Sequence, residues 1–355
     1  MVVGRQSRAE WLIQTSCVAI ESVRFGVRLI QHLGTPRDIV ELGILADQAG
    51  FDHAWFPSDK FMYHAWAIIG ALAEHTRTIT IGPNGTEPYS VSPGEIATFM
   101  ATLDHLSGGR AALGFGMHTE KMIEWLGIDV SDRVTRVREA VGLMRRIWAG
   151  EVVEFNGREF HWSDQCYLRF KPVRARIPVY VSGFAEDDLA MSGELGDGSL
   201  PMITPPESAP LMVERVRTGM RAAGRRDGDV DICGCGWFSV SRDGKGCDTD
   251  ALKDIIAYFG NYMDEQALAT VGLSHADFAG TARLVSERRY AEARMQVTPA
   301  MLQLAITGDP RAIIRRIEAL AAAGITQVSV GGPLGPDPRA AIRLFGAEII
   351  PYFRN

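Results

Sequence analysis

The sequence predicts an α/β barrel of the TIM (β/α)8 type, and three observations predict it. Short apolar runs ending in glycine, proline or a polar turn recur from Val23 to the C-terminus. Between them lie longer stretches with helical spacing, the alternation expected of a parallel sheet joined by crossover helices. The chain of 355 residues exceeds an ordinary domain yet suits one barrel with insertions, and its 37 glycines fit many tight strand-to-helix loops.

Taken in order, VRFGVRL (residues 23–29) is the first strand, and a helix over 36–49 follows, stopped by Gly50. HAWFPSD (53–59) is the second strand, with an alanine-rich helix over 65–74 behind it. TITIGPNG (78–85) is the third, and Ser92-Pro93 then opens a helix reaching Leu106. RAALGFG (110–116) is the fourth. The helix over 133–148 carries Val134, Val137, Val141, Met144 and Ile147 at spacings of three and four, which gives it one buried face. A hairpin-like stretch, VVEFNGREFHW, follows. IPVYVSG (177–183), SLPMI (199–203), CGCGWFSV (233–240) and residues 327–330 complete the eight strands. Residues 249–303 read as helical, an insertion before the last αβ unit placed to lid the barrel mouth. Residues 1–21 form an extension ahead of the first strand.

Composition narrows the partners. Hydrophobic residues make up 46% and charged residues 23%, ordinary for a soluble globular enzyme. A net charge of −6 and a pI near 5.8 argue against nucleic acid or an anionic membrane surface, both of which call for clustered positive charge. A small molecule is the expected partner. The five cysteines are scattered without the CxxC spacing of a zinc site and read as reduced thiols. The N-terminus lacks the apolar core of a signal peptide, so the expected location is cytoplasmic.

In a TIM barrel, chemistry gathers at the C-terminal ends of the strands, so the residues just after each run matter most. At the last strand, Gly331 and Gly332 let the backbone turn where a side chain would clash, and Pro336 and Pro338 pre-set the chain for a helix whose free N–H groups favour an anion. After strand two come Asp59 and Lys60; a lysine there can pair with an anion, or serve only a surface salt bridge or helix cap. Asn84-Gly85 after strand three reads by itself as a turn.

With Gly308-Asp309-Pro310 and the helix behind it, this C-terminal unit resembles the bacterial luciferase-like family of flavin- and deazaflavin-dependent oxidoreductases, and within it the methylenetetrahydromethanopterin reductases. Ser107-Gly108-Gly109-Arg110, Arg136-x-Arg138-Glu139 and Glu194-Leu195-Gly196-Asp197-Gly198 carry the resemblance most specifically. It implies hydride transfer between coenzyme F420 and a small organic substrate, in a homodimer. The alternatives are an FMN-dependent monooxygenase served by a separate flavin reductase, or a non-catalytic barrel that binds a ligand.

The resemblance also implies residue roles. Ser58-Asp59-Lys60 matches a Ser-Asp-His motif near the reacting ring, with Lys60 where histidine is usual and His64 able to supply the imidazole. Asn84, Gly85 and Thr86 match a bulge that backs the ring through a non-prolyl cis peptide, at Asn84-Gly85 or beside it. Gly116, Met117 and His118 match a glycine pattern at the cofactor, with His118 in place of its third glycine. His118 and Glu120 join Asp59, Lys60 and His64 as proton-relay candidates, although a glutamate at a helix start can equally serve the helix dipole. Ser182, Gly183, Phe184 and Ala185 match the phosphate turn, where Glu186, Asp187 and Asp188 oppose an anion. Arg28 stands where the reductases have a proton-donating glutamate; an arginine cannot donate usefully but suits a substrate carboxylate or phosphate.

Overall fold

The computed structural model describes residues 23–116, 120–183, 185–247 and 249–354, with the backbone alone at Glu120, Lys121 and Thr249. The N-terminal extension, Met117, His118 and Phe184 lie outside the described residues.

Eight parallel strands form the barrel: β1 (Arg24–Arg28), β2 (His53–Pro57), β3 (Thr80–Asn84), β4 (Leu113–Gly116), β5 (Val179–Ser182), β6 (Gly198–Ser199), β7 (Asp231–Val240) and β8 (Gln327–Leu334). They pair in the order β3-β2-β1-β8-β7-β6-β5-β4. Isolated parallel bridges at Ile81–Ala111 and Thr86–Phe115 close β3 onto β4. That seam is tight because it is made of glycine. A Cβ on Gly82 would stand 1.7 Å from the Ala112 carbonyl oxygen, and one on Gly114 would stand 2.6 Å from that of Pro83.

Local signals place the helices. Thr35 caps α1 (Pro36–Gln48) in a reciprocal box with Asp38, and Ser92 accepts from Glu95 N at 3.2 Å at the start of α3 (Pro93–Ser107). Between them α2 (Ala65–His75) lies against the barrel through Ile68, Ile69 and Leu72. In α4 (Arg133–Trp148) the buried face is Val137, Ala140, Val141, Met144 and Ile147, with Val134 partly covered. The ring continues through α5 (Glu186–Leu195), α6 (Ala209–Ala222), α7 (Pro310–Ala322) and the short α8 (Pro338–Leu344).

The motifs that most specifically carried the family resemblance are largely structural ties. Arg110 donates to the carbonyls of Ser107 (2.8 Å), Ile79 (2.7 Å) and Thr76 (3.0 Å), locking α3 to the neighbouring strand starts. Glu139 accepts from the N–H groups of Arg158, Glu159 and Phe160 and so holds the loop of a two-strand hairpin, Phe155–Asn156 with His161–Trp162. Arg138 grips Glu194 through both terminal nitrogens.

The base of the barrel holds a buried polar cluster around Asp231. Its carboxylate accepts from Tyr180 Oη (2.9 Å), Gln327 Nε2 (2.6 Å) and Thr326 Oγ1 (2.6 Å), and pairs with Arg24 at 2.7 Å. His53 stacks on Trp55 beside it. Above this layer, Trp55, Ala112, Tyr180, Leu200, Cys233 and Cys235 fill the lumen.

Two expectations are corrected, and one strand adds to them. The expected strand over 199–203 ends at Ser199, since Pro201 has no N–H to give and the Pro201 and Met202 carbonyls turn to Arg28 instead. The double glycine 331–332 is not a turn: β8 runs on to Leu334 through a register shift between Gly331 and Leu334. A strand at Ala305–Gly308, unexpected from sequence, pairs with Trp237–Val240 on the edge of β7 that the short β6 leaves open. The expected insertion is helical up to Leu304 and has its own apolar core, including Ile256, Phe278 and Leu284, fused to the mouth at Met202, Ile203 and Trp237.

Candidate functional site

A cavity opens at the C-terminal ends of the strands, with about 790 Å³ of empty volume including the space at its mouth. Arg28 from β1, Phe56 from β2, Asn84 from β3, Trp237 from β7 and the bare backbone of Gly331 and Gly332 from β8 form its walls. Ile255 and Phe259 from the helix Thr249–Phe259, within the expected insertion, also line it. The apolar lining with few polar groups is that of a small-molecule site.

Asp59 is the single carboxylate on this wall among the described residues. It keeps some surface toward the cavity but is otherwise surrounded by protein. Burial raises its pKa to about 6, against the lowering charges of Arg28 and Lys60. It can therefore hold or release a proton near neutrality. Tyr258, in electrostatic reach of Asp59, is pushed up to about 12 by burial and remains a phenol. His32, on the cavity rim, is lowered by burial against the opposing charge of Asp254. Sequence reasoning singled out neither residue; the lid assignment of the insertion was the one signal pointing toward Tyr258.

Arg28 is buried, 6% exposed, and largely committed. Its Nη1 donates to the Met202 carbonyl at 2.6 Å, and Nη2 donates to the Pro201 carbonyl and to Cys235 Sγ at 2.8 Å. Its Nε has no partner.

Asn84 joins the cavity to the seam. Ser182 Oγ approaches Asn84 Oδ1 at 3.5 Å, and Gly116, at φ +132°, passes so near that a Cβ would meet the Ser182 carbonyl at 2.3 Å. Thr86 is fully buried and its hydroxyl has no partner. Gly85 takes φ +76°, and the cis peptide bond in the described residues is at Gly332-Pro333 rather than at or beside Asn84-Gly85.

Other candidates lie elsewhere. Lys60 Nζ is 2.6 Å from Glu87, a carboxylate that also accepts from Tyr89 N and Ser90 N. His64 is exposed, edge-on to Trp66. Glu120 opens the helix Glu120–Glu124, and its side chain is outside the described set, as are Met117, His118 and Phe184. At the expected phosphate turn, Ala185 N donates to Asp188 Oδ2 at 3.2 Å, and Asp188 pairs with Arg133 at 3.0 Å. A Cβ on Gly183 would meet Asp188 at 2.3 Å, so the chain's own carboxylate sits over this turn, neutralised by an arginine.

An eight-stranded barrel with a glycine seam beside β3 and a cavity at its mouth defines a luciferase-like barrel. The chain belongs to the luciferase-like monooxygenase family, whose model it matches over residues 22–327. It is 32% identical over 316 residues to 5,10-methylenetetrahydromethanopterin reductase of Archaeoglobus fulgidus, covering 87% of this chain and 94% of that protein. It is 25% identical over 350 residues to an F420-dependent glucose-6-phosphate dehydrogenase of Nakamurella multipartita, covering 94% and 97%. Among solved structures, the coenzyme F420-dependent tetrahydromethanopterin reductase of Methanopyrus kandleri superposes with a TM-score of 0.86 at 28% identity, covering 94% of this chain and 99% of that one. No helix among the described residues is long and apolar enough to cross a membrane.

Proposed function

We propose that the protein is an oxidoreductase that transfers a hydride between coenzyme F420 and a small organic substrate. The observation that carries this reading is Asp59, a carboxyl with a pKa of about 6 on the wall of an apolar cavity that adjoins the barrel seam. The names of the relatives, F420-dependent in two different reactions, support the cofactor.

The residues present fit a deazaflavin. The Thr86 hydroxyl is buried without a partner, and Asn84, two residues before it on the seam, stands on the cavity wall. Asn84, Gly85, Thr86 and Gly116 would flank the ring, with Ser182 and Gly183 beside them and Gly331-Gly332 across the cavity. When bound, the cofactor supplies the two-electron hydride chemistry. The protein holds the substrate under the lid helix, excludes water with Trp237, Ile255 and Phe259, and moves a proton at the Asp59 carboxyl. A homodimer in the cytoplasm belongs to the same proposal; a half-buried apolar groove between α1 and α2, lined by Val40, Ile44 and Ile68, supports the association.

Equilibrium titration of the purified protein with F420 and with FMN, read by quenching of cofactor fluorescence, tests the reading. Micromolar or tighter binding of F420 with none of FMN is expected. Preference for FMN would move the assignment to a monooxygenase fed by a flavin reductase, and binding of neither would leave a non-catalytic barrel.

A further inference from the structure

The turn after β5 carries an inference about the form of the cofactor, and it rests on the hydride-transfer reading. Ser182 at the end of β5 brings its Oγ within 3.5 Å of Asn84, a residue of the cavity wall, and its carbonyl backs directly onto Gly116 at the seam. Two residues on, the chain enters the ten-residue helix α5. The first N–H groups of such a helix ordinarily draw an anion, and F420 carries one, a phosphate on its ribityl chain.

In this chain that position is already filled from within. Asp188 is 3% exposed and lies against Gly183 so closely that a Cβ there would stand 2.3 Å from its side chain. Its Oδ2 accepts from Ala185 N at 3.2 Å, and its Oδ1 meets Arg133 Nε at 3.0 Å. The helix therefore supplies its own carboxylate to its first turn, and Arg133 is engaged by that carboxylate. Glu186 and Asp187 stand exposed in the same turn. Arg215 comes within 3.8 Å of Glu186 but lies nearer to Asp264, at 3.1 Å. In this group two arginines face four carboxylates, so an incoming phosphate meets like charge where a helix start would otherwise attract it.

We propose that Asp188 stands in for the cofactor phosphate in this protein. The deazaflavin ring and its ribityl chain bind at the seam, while the phosphate and everything beyond it are turned away from α5 into solvent. The phosphate then contributes no affinity, and a 5-deazaflavin with a bare ribityl chain is an equal or better ligand than F420. Asp188, Arg133 and the two exposed carboxylates set the charge of the cofactor that the site accepts; the hydride chemistry of the ring does not depend on them.

The test compares F420 with the same deazaflavin cut back to its ribityl chain, both titrated by fluorescence quenching at 50 and 500 mM salt. The bare deazaflavin is expected to bind as tightly as F420 or up to about tenfold tighter at low salt, and the gap is expected to close as salt screens the repulsion. The phosphorus-31 resonance of F420 bound to the unaltered protein is expected to stay at its free position. Glu186→Gln combined with Asp187→Asn, both at exposed positions, should strengthen F420 about threefold or more and leave the bare deazaflavin unchanged. Asp188→Asn keeps an acceptor for Ala185 N and frees Arg133, so it should strengthen F420 further and shift the phosphorus resonance. The salt series and the exposed pair carry the test even if Asp188→Asn proves unstable. F420 binding more than threefold tighter than the bare deazaflavin, with affinity falling as salt rises, or a shifted phosphorus resonance in the unaltered protein, would overturn the inference while leaving F420 binding in place. Failure of both deazaflavins to bind would overturn the hydride-transfer reading itself and this inference with it.

Discussion

Lys60 Nζ stands 2.6 Å from Glu87 Oε1, and the pair ties the loop after β2 to the loop after β3 at the edge of the barrel mouth. Glu87 is 4% exposed, so its charge is held by Lys60 and by the N–H groups of Tyr89 and Ser90. Lys60→Met removes one of these and is expected to destabilise the protein by about 1–3 kcal/mol, with much of the loss recovered in the Lys60→Met, Glu87→Gln double variant. Urea denaturation of the two single variants and the double one measures the coupling; additive losses would show that the pair contributes nothing specific.

Asp59 gives a pH signature to stability. Its folded pKa is raised from 3.8 to about 6, so the folded state holds this proton more tightly than the unfolded chain does. Its contribution therefore favours folding most below pH 4 and declines as pH rises to 6, remaining unfavourable at pH 7. Asp59→Asn is expected to raise stability at pH 7.5 by roughly 1–2 kcal/mol, after discounting for its partial exposure, and to leave stability at pH 4 nearly unchanged. In turnover the same substitution should remove the limb that titrates near pH 6.

His53 acts in the opposite direction. Burial lowers its pKa from 6.5 to about 4, against the raising charges of Asp231 and Asp52. The unfolded chain takes up this proton first on acidification, so stability present above pH 6.5 is lost as pH falls toward 4. His53→Phe keeps the stacking on Trp55 and is expected to flatten the acid limb of the urea midpoint between pH 7 and pH 4.5, at some cost from the lost contact with Tyr180. An acid limb as steep as that of the parent protein would refute the assignment.

Two glycines in the same fold should respond in opposite ways to alanine. Gly82 faces the Ala112 carbonyl so closely that a Cβ has no room, and Gly82→Ala should open the seam at a cost of about 3 kcal/mol or more, or fail to fold. Gly142 lies exposed in α4 with nothing within 4 Å of where a Cβ would stand, and Gly142→Ala should stabilise by up to about 1 kcal/mol through helix propensity. Thermal melts of the two variants check the contrast.

Much of the architecture was readable along the chain. The eight barrel strands and the helices between them announce themselves through local periodicity and caps such as Thr35 and Ser92, which depend on residues a few positions apart. What local pattern could not supply was where a strand ends when its neighbour decides. Residues 305–308 become a strand because β6 stops after Ser199 and leaves the edge of β7 free, and Gly331-Gly332 stays in β8 because β7 continues beside it.

At the site the division is sharper. By itself the sequence determined the barrel, the insertion before its last unit, and the placing of Arg28, Asp59 and Asn84 near the strand ends, because strand alternation and chain order set those positions. Only the tertiary structure decided that Lys60 turns to Glu87, that Asp188 covers the turn at Gly183, and that Arg28 spends two of its nitrogens on Pro201, Met202 and Cys235. The physical reason is that loop residues beyond a strand have no repeating direction. Which way a charged side chain points is then set by whatever partner is nearest in space, and for Arg28 those partners lie more than 170 residues away along the chain.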